Sequence, residues 1–255
     1  MARIPIGLQL YTVRQEMSDD PVGTIKAVAE MGYEGVEGGV PRGMSSKEYL
    51  SLLDDCGMKL IGGGVGLAQL KGDIQKVVDQ CNELGINSMM MGIGGDLREA
   101  GGDWKKVVAE LAKGCAKAAK AGLQVLYHNH AFEFEAKVDG MYGLDYLFAN
   151  IPASDIQAEL DVYWVQTGGE DPVKYINKYA GRLPRIHIKD RAPSPDDEEC
   201  PFAEIGQGIL DWDAIFDVSP AAGVKWYVVE QDQWIRPPLE SAKMSIDYLK
   251  SRGMV

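Results

Sequence analysis

The sequence predicts an α/β protein that folds as one (β/α)8 barrel, or TIM barrel, forming a single domain over residues 1–255. Eight short apolar segments alternate with helix-like segments along the chain. Successive apolar segments begin 26 to 40 residues apart, a spacing that suits one strand–helix unit. A doubly wound open sheet is the alternative, but it usually has fewer strands and a G-x-G-x-x-G fingerprint, which this sequence lacks.

The apolar segments are the predicted strands, because each is short and is bounded by glycine or by polar residues. They begin near Ile6, Tyr33, Lys59, Ser88, Gln124, Ile156, Arg185 and Lys225. Two glycine-rich stretches follow the third and fourth strands, at residues 62–66 and 92–95. We interpret both as tight turns between a strand and a helix, with phosphate binding as the weaker alternative.

The predicted helices begin and end at recognisable capping residues. Asp20-Pro21 opens a helix that runs to Met31, because aspartate caps a helix and proline fits its first position. The other predicted helices span residues 73–84, 104–121, 171–181 and 240–252. A glycine that supplies a left-handed cap precedes four of the strands, at Gly32, Gly85, Gly122 and Gly223.

Composition excludes several classes of function. The net charge of -12 argues against a nucleic-acid partner, because DNA affinity depends heavily on lysine and arginine. No apolar run approaches the ~20 residues of a membrane span, and the N-terminus lacks the apolar core of a signal peptide. The four cysteines form no C-x-x-C pair, so we expect reduced thiols and a cytoplasmic location.

One polar, acidic stretch interrupts the regular pattern. Residues 191–203 contain two prolines before Cys200 and one after it, and we interpret them as a surface loop after the seventh strand. The segment Glu204-Ile205-Gly206-Gln207-Gly208 follows this loop. We expect it to fold back over the barrel mouth, where Glu204 would contact the substrate.

Histidine and acidic residues gather at the ends of the last four strands, where barrel enzymes place their active sites. Asp161, His187 and Glu230 are the strongest candidates for ligands of one divalent ion, which would be Mn²⁺, Mg²⁺, Co²⁺ or Zn²⁺. The fourth ligand should come from the fifth strand, and we favour Glu133 over His128. Inward ion pairs without a metal are the alternative.

Three further side chains are candidates for proton transfer. His128 and His130 share one face of the fifth strand, next to the acids of adjacent strands. Core imidazoles without a chemical role are the alternative for both. Lys189 could stabilise an oxyanion or act as an acid, and an ion pair with Asp161 or Glu159 is its alternative.

Three more residues are candidates for substrate binding. Gln9 could hydrogen-bond a polyol hydroxyl, although plain inward packing is an equal alternative. Trp164 could stack on the apolar face of a sugar ring, with a core position as its alternative. Glu37 ends the second strand and could reach the barrel mouth, unless it caps a helix.

Several of these segments together resemble the xylose isomerase-like TIM-barrel superfamily, and in particular its sugar phosphate isomerase/epimerase branch. The motifs are Gly7-Leu8-Gln9-Leu10-Tyr11-Thr12-Val13-Arg14, Tyr127-His128-Asn129-His130 with Glu133-Phe134, Glu159-Leu160-Asp161-Val162-Tyr163-Trp164, His187-Ile188-Lys189-Asp190, Glu204-Ile205-Gly206-Gln207-Gly208 and Val229-Glu230-Gln231-Asp232. The resemblance implies one divalent metal held by Glu, Asp, His and Glu from strands five to eight. Asp161, His187 and Glu230 match the last three of these positions.

The resemblance implies proton removal next to a carbonyl group of a sugar or polyol. We expect an isomerase or epimerase in which Glu230 or Glu133 shuttles the proton, assisted by His128, His130 and Lys189. A lyase that acts on a keto-inositol or a 3-keto-glycoside is the first alternative, and a non-catalytic sugar-binding barrel is the second. The expected partner is a small sugar or polyol, and a homo-oligomer is compatible with the sequence.

Overall fold

The computed structural model describes residues 3–193 and 201–255. Eight parallel strands close into a barrel in which each strand pairs with its neighbours in sequence and the last pairs with the first. We number them in chain order as β1 Ile6–Gln9, β2 Gly35–Glu37, β3 Lys59–Gly64, β4 Ser88–Met91, β5 Gln124–His128, β6 Ile156–Asp161, β7 Arg185–Ile188 and β8 Trp226–Val229. Each begins within two residues of its predicted start, so the predicted (β/α)8 barrel is confirmed.

Helices surround the barrel. The α-helices are Arg14–Asp19, Pro21–Met31, Ser46–Asp55, Leu67–Lys71, Ile74–Glu83, Gly94–Glu99, Trp104–Lys120, Gly143–Asn150, Val162–Thr167, Pro172–Lys178, Trp212–Ala222 and Pro238–Ser251. The five predicted helices are all present, although the fourth ends at Lys178, before Gly181. The unpredicted helices include several of one or two turns, which are too short to carry a clear 3.6-residue period.

The capping residues act as the sequence predicts. The Asp20 side chain accepts a hydrogen bond from the Gly23 backbone N–H, and Pro21 occupies the first turn. The four glycines before strands have φ values of 98°, 65°, 82° and 96°, in the left-handed region that favours glycine. These caps stop each helix where the chain must turn back into the barrel.

The barrel separates apolar from charged side chains through strand alternation. On β7, Ile186 and Ile188 face the surrounding helices, whereas Arg185 and His187 point into the barrel, and all four are buried. The apolar layer between strands and helices provides the hydrophobic stabilisation of the fold. The barrel axis, in contrast, carries a column of charged groups, and this column positions the candidate site.

The segment after β7 is only partly described. Asp190–Arg191 pairs antiparallel with Phe202–Ala203, and residues 194–200, including Cys200, lie outside the described residues. The cysteines in the described part are free thiols, at Cys56, Cys81 and Cys115. Within residues 3–193 and 201–255, no helix has both the length and the apolar character needed to cross a bilayer.

Candidate active site

Four buried side chains meet at the carboxyl ends of β5 to β8. His128, Asp161, His187 and Glu230 each place one nitrogen or oxygen ligand atom within 4.8 Å of the others. His128 and Asp161 end their strands, and Glu230 follows β8 directly. The structure therefore brings the three strongest sequence candidates together with His128, and we call these four residues the mouth cluster.

The atoms of the mouth cluster fit a divalent cation. Among the described residues, buried Asp161 Oδ2 has no hydrogen-bond partner of good geometry, although it lies 3.6 Å from His128 Nε2 and 2.9 Å from the Lys189 ammonium. A buried carboxylate is costly unless a cation compensates its charge, and the Lys189 ammonium does so here. Two imidazoles and two carboxylates form a donor set that suits Zn²⁺, Mn²⁺ or Co²⁺.

Lys189 lies among the acids of the site. Its Nζ is 2.8 Å from Glu230 Oε2, 2.9 Å from Asp161 Oδ2 and 3.0 Å from Asp232 Oδ2. Burial lowers the pKa of Lys189, but the charges of Asp161 and Glu230 outweigh burial and raise it above its ordinary value. The ammonium is therefore charged at neutral pH, and the ion pair with Asp161 that was the alternative for Lys189 is present.

Glu133, the favoured fourth ligand and a predicted proton shuttle, lies outside the mouth cluster. Its carboxylate accepts hydrogen bonds from the Tyr127 hydroxyl and from the His130 backbone N–H, each at 2.8 Å. Tyr127 points out of the barrel because it alternates with His128 along β5. The 3-10 helix Phe132–Phe134 turns Glu133 back onto this outer face. His128, rather than Glu133, is therefore the fourth residue of the mouth cluster.

His187 is held between three carboxylates. Its Nδ1 lies 2.8 Å from Glu230, and its Nε2 lies 2.7 Å from Glu37 and 3.1 Å from Glu159. Burial alone would lower the pKa of His187, but the charges of Glu159 and Glu230 raise it well above the ordinary value. Glu37 thus holds one ring nitrogen and directs the other toward Glu230, as outer partners of ligand histidines commonly do.

Arg185 neutralises the acids deeper in the barrel. Its guanidinium bonds to Glu37 and, at 2.8 Å, to Glu159. It also donates to the Ile61 carbonyl at 2.9 Å and to the Ser88 hydroxyl at 3.0 Å. Glu37, Glu159 and Arg185 form the inner charged layer, which lies below the mouth cluster along the barrel axis.

Three of the four predicted substrate-binding residues have other partners. Gln9 donates to Glu37 at 3.1 Å, and its side-chain oxygen accepts from the Tyr11 backbone N–H. Glu37 is fully buried, and its carboxylate bonds to Arg185 and to His187 rather than to a substrate. Glu204 accepts from Arg236 at 2.6 Å and from Ser241 at 2.8 Å, which anchors its segment to the last helix.

A cavity of about 590 Å³ opens above the mouth cluster. Its lining includes His128, His130, Trp164, Lys189, Glu230 and Asp232. Trp164 is the predicted substrate-binding residue that the structure does place at this cavity. Its indole Nε1 is buried and makes no hydrogen bond within the described residues, so a bound molecule could accept one from it.

His130 is neutral at physiological pH. Burial and the nearby charge of His128 lower the pKa of His130 from 6.5 to about 4. Its ring lies 5.1 Å from the His128 ring and 5.4 Å from the Trp164 ring, between centroids. A neutral imidazole at the cavity wall offers a ring nitrogen that can accept a proton.

Sequence reasoning passed over two residues that shape the site. Asp232 is the third acid beside Lys189. The sequence indicates this position because Asp232 is two residues after Glu230, so strand alternation points both side chains the same way. Asn129 accepts a hydrogen bond from the Asp161 backbone N–H at 2.9 Å and donates to its carbonyl at 3.3 Å. Asn129 thereby fixes the end of β6, and no sequence pattern pointed to that role.

Comparisons with known proteins define the family to which this barrel belongs. This chain belongs to the xylose isomerase-like TIM-barrel family, whose pattern matches residues 25–252. The inosose dehydratase of Lacticaseibacillus casei is 26% identical in an alignment of 163 positions, which covers 58% of this chain and 54% of that protein. That of Clostridium beijerinckii is 27% identical in an alignment of 166 positions, which covers 59% of this chain and 55% of that protein. The chain thus spans about half the length of the curated relatives it matches.

Solved structures support the same fold. A sugar phosphate isomerase/epimerase from Parabacteroides distasonis superposes with a TM-score of 0.78 at 25% identity, covering 100% of this chain and 96% of that one. A probable 3-DHS dehydratase from Bacillus anthracis has a TM-score of 0.73 at 15% identity, with 98% and 100% covered. The second likeness concerns the fold alone.

Proposed function

We propose that this protein is a divalent-metal-dependent carbon–oxygen lyase that acts on a cyclic ketone of a sugar or polyol. The observation that carries this proposal is that His128, and not Glu133, completes the mouth cluster. Glu230 is then the one glutamate of the cluster, whereas proton exchange between two metal-bound glutamates needs a second. His130 lies at the cavity wall with a neutral imidazole, which makes it our candidate for the proton carrier.

We propose His128, Asp161, His187 and Glu230 as the residues that would hold the metal. A bound Mn²⁺, Mg²⁺, Co²⁺ or Zn²⁺ would supply Lewis-acid stabilisation of negative charge on a carbonyl oxygen. The Lys189 ammonium lies in the same part of the cavity and adds to this stabilisation. Trp164 offers a flat apolar surface for the ring of the substrate and an indole N–H for one of its hydroxyls.

The proposed reaction is an elimination that neither oxidises nor reduces the substrate overall. The neutral His130 imidazole accepts the proton from the carbon next to the carbonyl, and the electrons of that C–H bond move onto the carbonyl oxygen. When the carbonyl re-forms, the C–O bond on the neighbouring carbon breaks. His130 returns its proton to the departing oxygen, so the products are an unsaturated ketone and water.

Turnover of an inosose tests this proposal directly. Incubation in D₂O with each of the four metals should give a product that mass spectrometry finds lighter by one water. His130→Gln should lower kcat about 10²- to 10⁴-fold, because it removes the proton carrier. Glu204→Gln is the matched control, since Glu204 lies away from the cavity, and it should retain kcat.

Two other outcomes would contradict the lyase proposal. A product of unchanged composition that carries deuterium on carbon would replace the lyase with an isomerase or epimerase. Isomerisation is our second candidate because Lys189 and Glu230, 2.8 Å apart, could act as an acid–base pair. Binding of the ketone without any product in the presence of all four metals would instead favour a non-catalytic sugar-binding barrel.

A further inference from the structure

A second, larger cavity adjoins the first and shares one wall with it. It has a volume of about 820 Å³, compared with about 590 Å³ for the cavity above the mouth cluster. His130 lines both cavities. Its ring lies 5.4 Å from Trp164 on the side of the smaller cavity and 6.0 Å from Phe132 on the side of the larger one.

Missing side chains keep the larger cavity open. Five of its lining residues are glycines, and Gly95 is the most informative of them. A Cβ on Gly95 would meet no atom within 4 Å, whereas a Cβ on Gly94 would lie 3.2 Å from the Phe132 ring. Gly95 has an ordinary backbone conformation in the helix Gly94–Glu99, so a larger residue there would fill the cavity without straining the chain.

The larger cavity suits a flat apolar group with one polar edge. Phe132 stacks on His130 with an interplanar angle of 22°, and Leu97 adds an aliphatic surface. Arg98 is the single charged lining residue among those that the structure describes, and it is exposed at the rim. This apolar lining offers too few polar groups to recognise a sugar ring. It suits an aromatic ring that carries one oxygen substituent.

We infer that the substrate is a two-part molecule, in which the sugar or polyol ring occupies the smaller cavity and an aromatic substituent occupies the larger one. This inference rests on the proposed function for the identity of the sugar part. The shared wall at His130 places the link between the two rings beside the imidazole. The two cavities together would bind an aryl glycoside or a similar conjugate more tightly than the sugar alone.

Equilibrium binding tests this inference without requiring turnover. Calorimetry should show that phenyl β-D-glucopyranoside binds about tenfold or more tightly than methyl β-D-glucopyranoside, because the phenyl ring buries additional apolar surface. Gly95→Leu should remove this preference while leaving the affinity for the methyl glycoside and the turnover of an inosose unchanged. Gly39→Leu is the matched control, since Gly39 also has open space and lines neither cavity.

A second variant tests the polar edge. Arg98→Met should weaken binding of 4-hydroxyphenyl β-D-glucopyranoside several-fold more than binding of the phenyl glycoside, since it removes the donor at the rim. Equal affinity of the wild type for the phenyl and methyl glycosides, or no binding of the phenyl glycoside, would overturn the inference. Either result leaves the lyase proposal standing, because that proposal is judged by inosose turnover.

Discussion

Two charged groups follow one another along the barrel axis, and they are built differently. The inner charged layer neutralises Glu37 and Glu159 with the guanidinium of Arg185. Above it, Asp161 and Glu230 of the mouth cluster share the ammonium of Lys189. All six side chains are almost entirely buried, so exposure does not distinguish the two groups.

The choice of cation distinguishes them. Guanidinium is always charged, and the fork of Arg185 is occupied by four partners in fixed directions. The Lys189 ammonium ends a flexible stem beside an open cavity, and it retains Asp232 as a partner if it leaves the other two acids. We therefore expect the inner layer to serve structure and to hold His187, and the mouth cluster to exchange its cation for a metal.

The largest effect should follow from removing the cation of the inner layer. Arg185→Met leaves Glu37 and Glu159 buried without compensation, which should cost about 3–5 kcal/mol of unfolding free energy. Urea unfolding of the variant measures this loss. Arg42→Met, an exposed position, should change stability by less than about 0.5 kcal/mol. Similar midpoints for the two variants would show that the inner layer is not structural.

The next largest effect should follow from removing the cation of the mouth cluster. Lys189→Met leaves Asp161 and Glu230 without their ammonium, so Mn²⁺ should bind about tenfold more tightly, a gain of about 1.4 kcal/mol. Calorimetric titration with Mn²⁺ measures this affinity. Lys59→Met makes the same change of charge at the opposite end of the barrel and should leave the affinity unchanged. Unchanged or weaker binding to Lys189→Met would contradict an exchangeable cation.

The smallest effect concerns pH. Because the pKa of His130 is lowered from 6.5 to about 4, the unfolded chain binds the proton more strongly than the folded protein between these values. Stability should therefore fall as the pH drops, by about 1 kcal/mol between pH 6.5 and 5.5. Urea midpoints across this range, measured in a chelator, should fall less steeply for His130→Gln. Parallel curves for the two proteins would mean that His130 is not desolvated.

The sequence predicted the barrel better than the site. Apolar segments at regular spacing and glycine caps at Gly32 and Gly223 are local signals, and they fixed strand positions to within two residues. Strand parity also placed Asp161, His187 and Glu230 together, because inward-facing residues of adjacent strands must meet. Alternation predicts the direction of a side chain only within a strand, however, and Glu133 lies beyond the end of β5.

The predicted site residues that lie outside the mouth cluster share one physical cause. Glu133 and Glu204 follow strands rather than belong to them, so their direction depends on turns that no periodicity describes. Glu37 lies within β2, but its depth depends on the register of β2 with β3, which shifts between Val36 and Glu37. Gln9 hydrogen-bonds to Glu37 rather than facing a substrate, so it lies at the same depth in the barrel as Glu37.

The sequence by itself determined which side chains face the barrel axis, since alternation along a strand is a property of the backbone. Only the tertiary structure decided how those side chains share their charges. It paired Arg185 with the inner acids and Lys189 with the outer ones, and it turned Glu133 away so that His128 completes the mouth cluster. Such pairings depend on distances between strands far apart in sequence, which barrel closure alone sets.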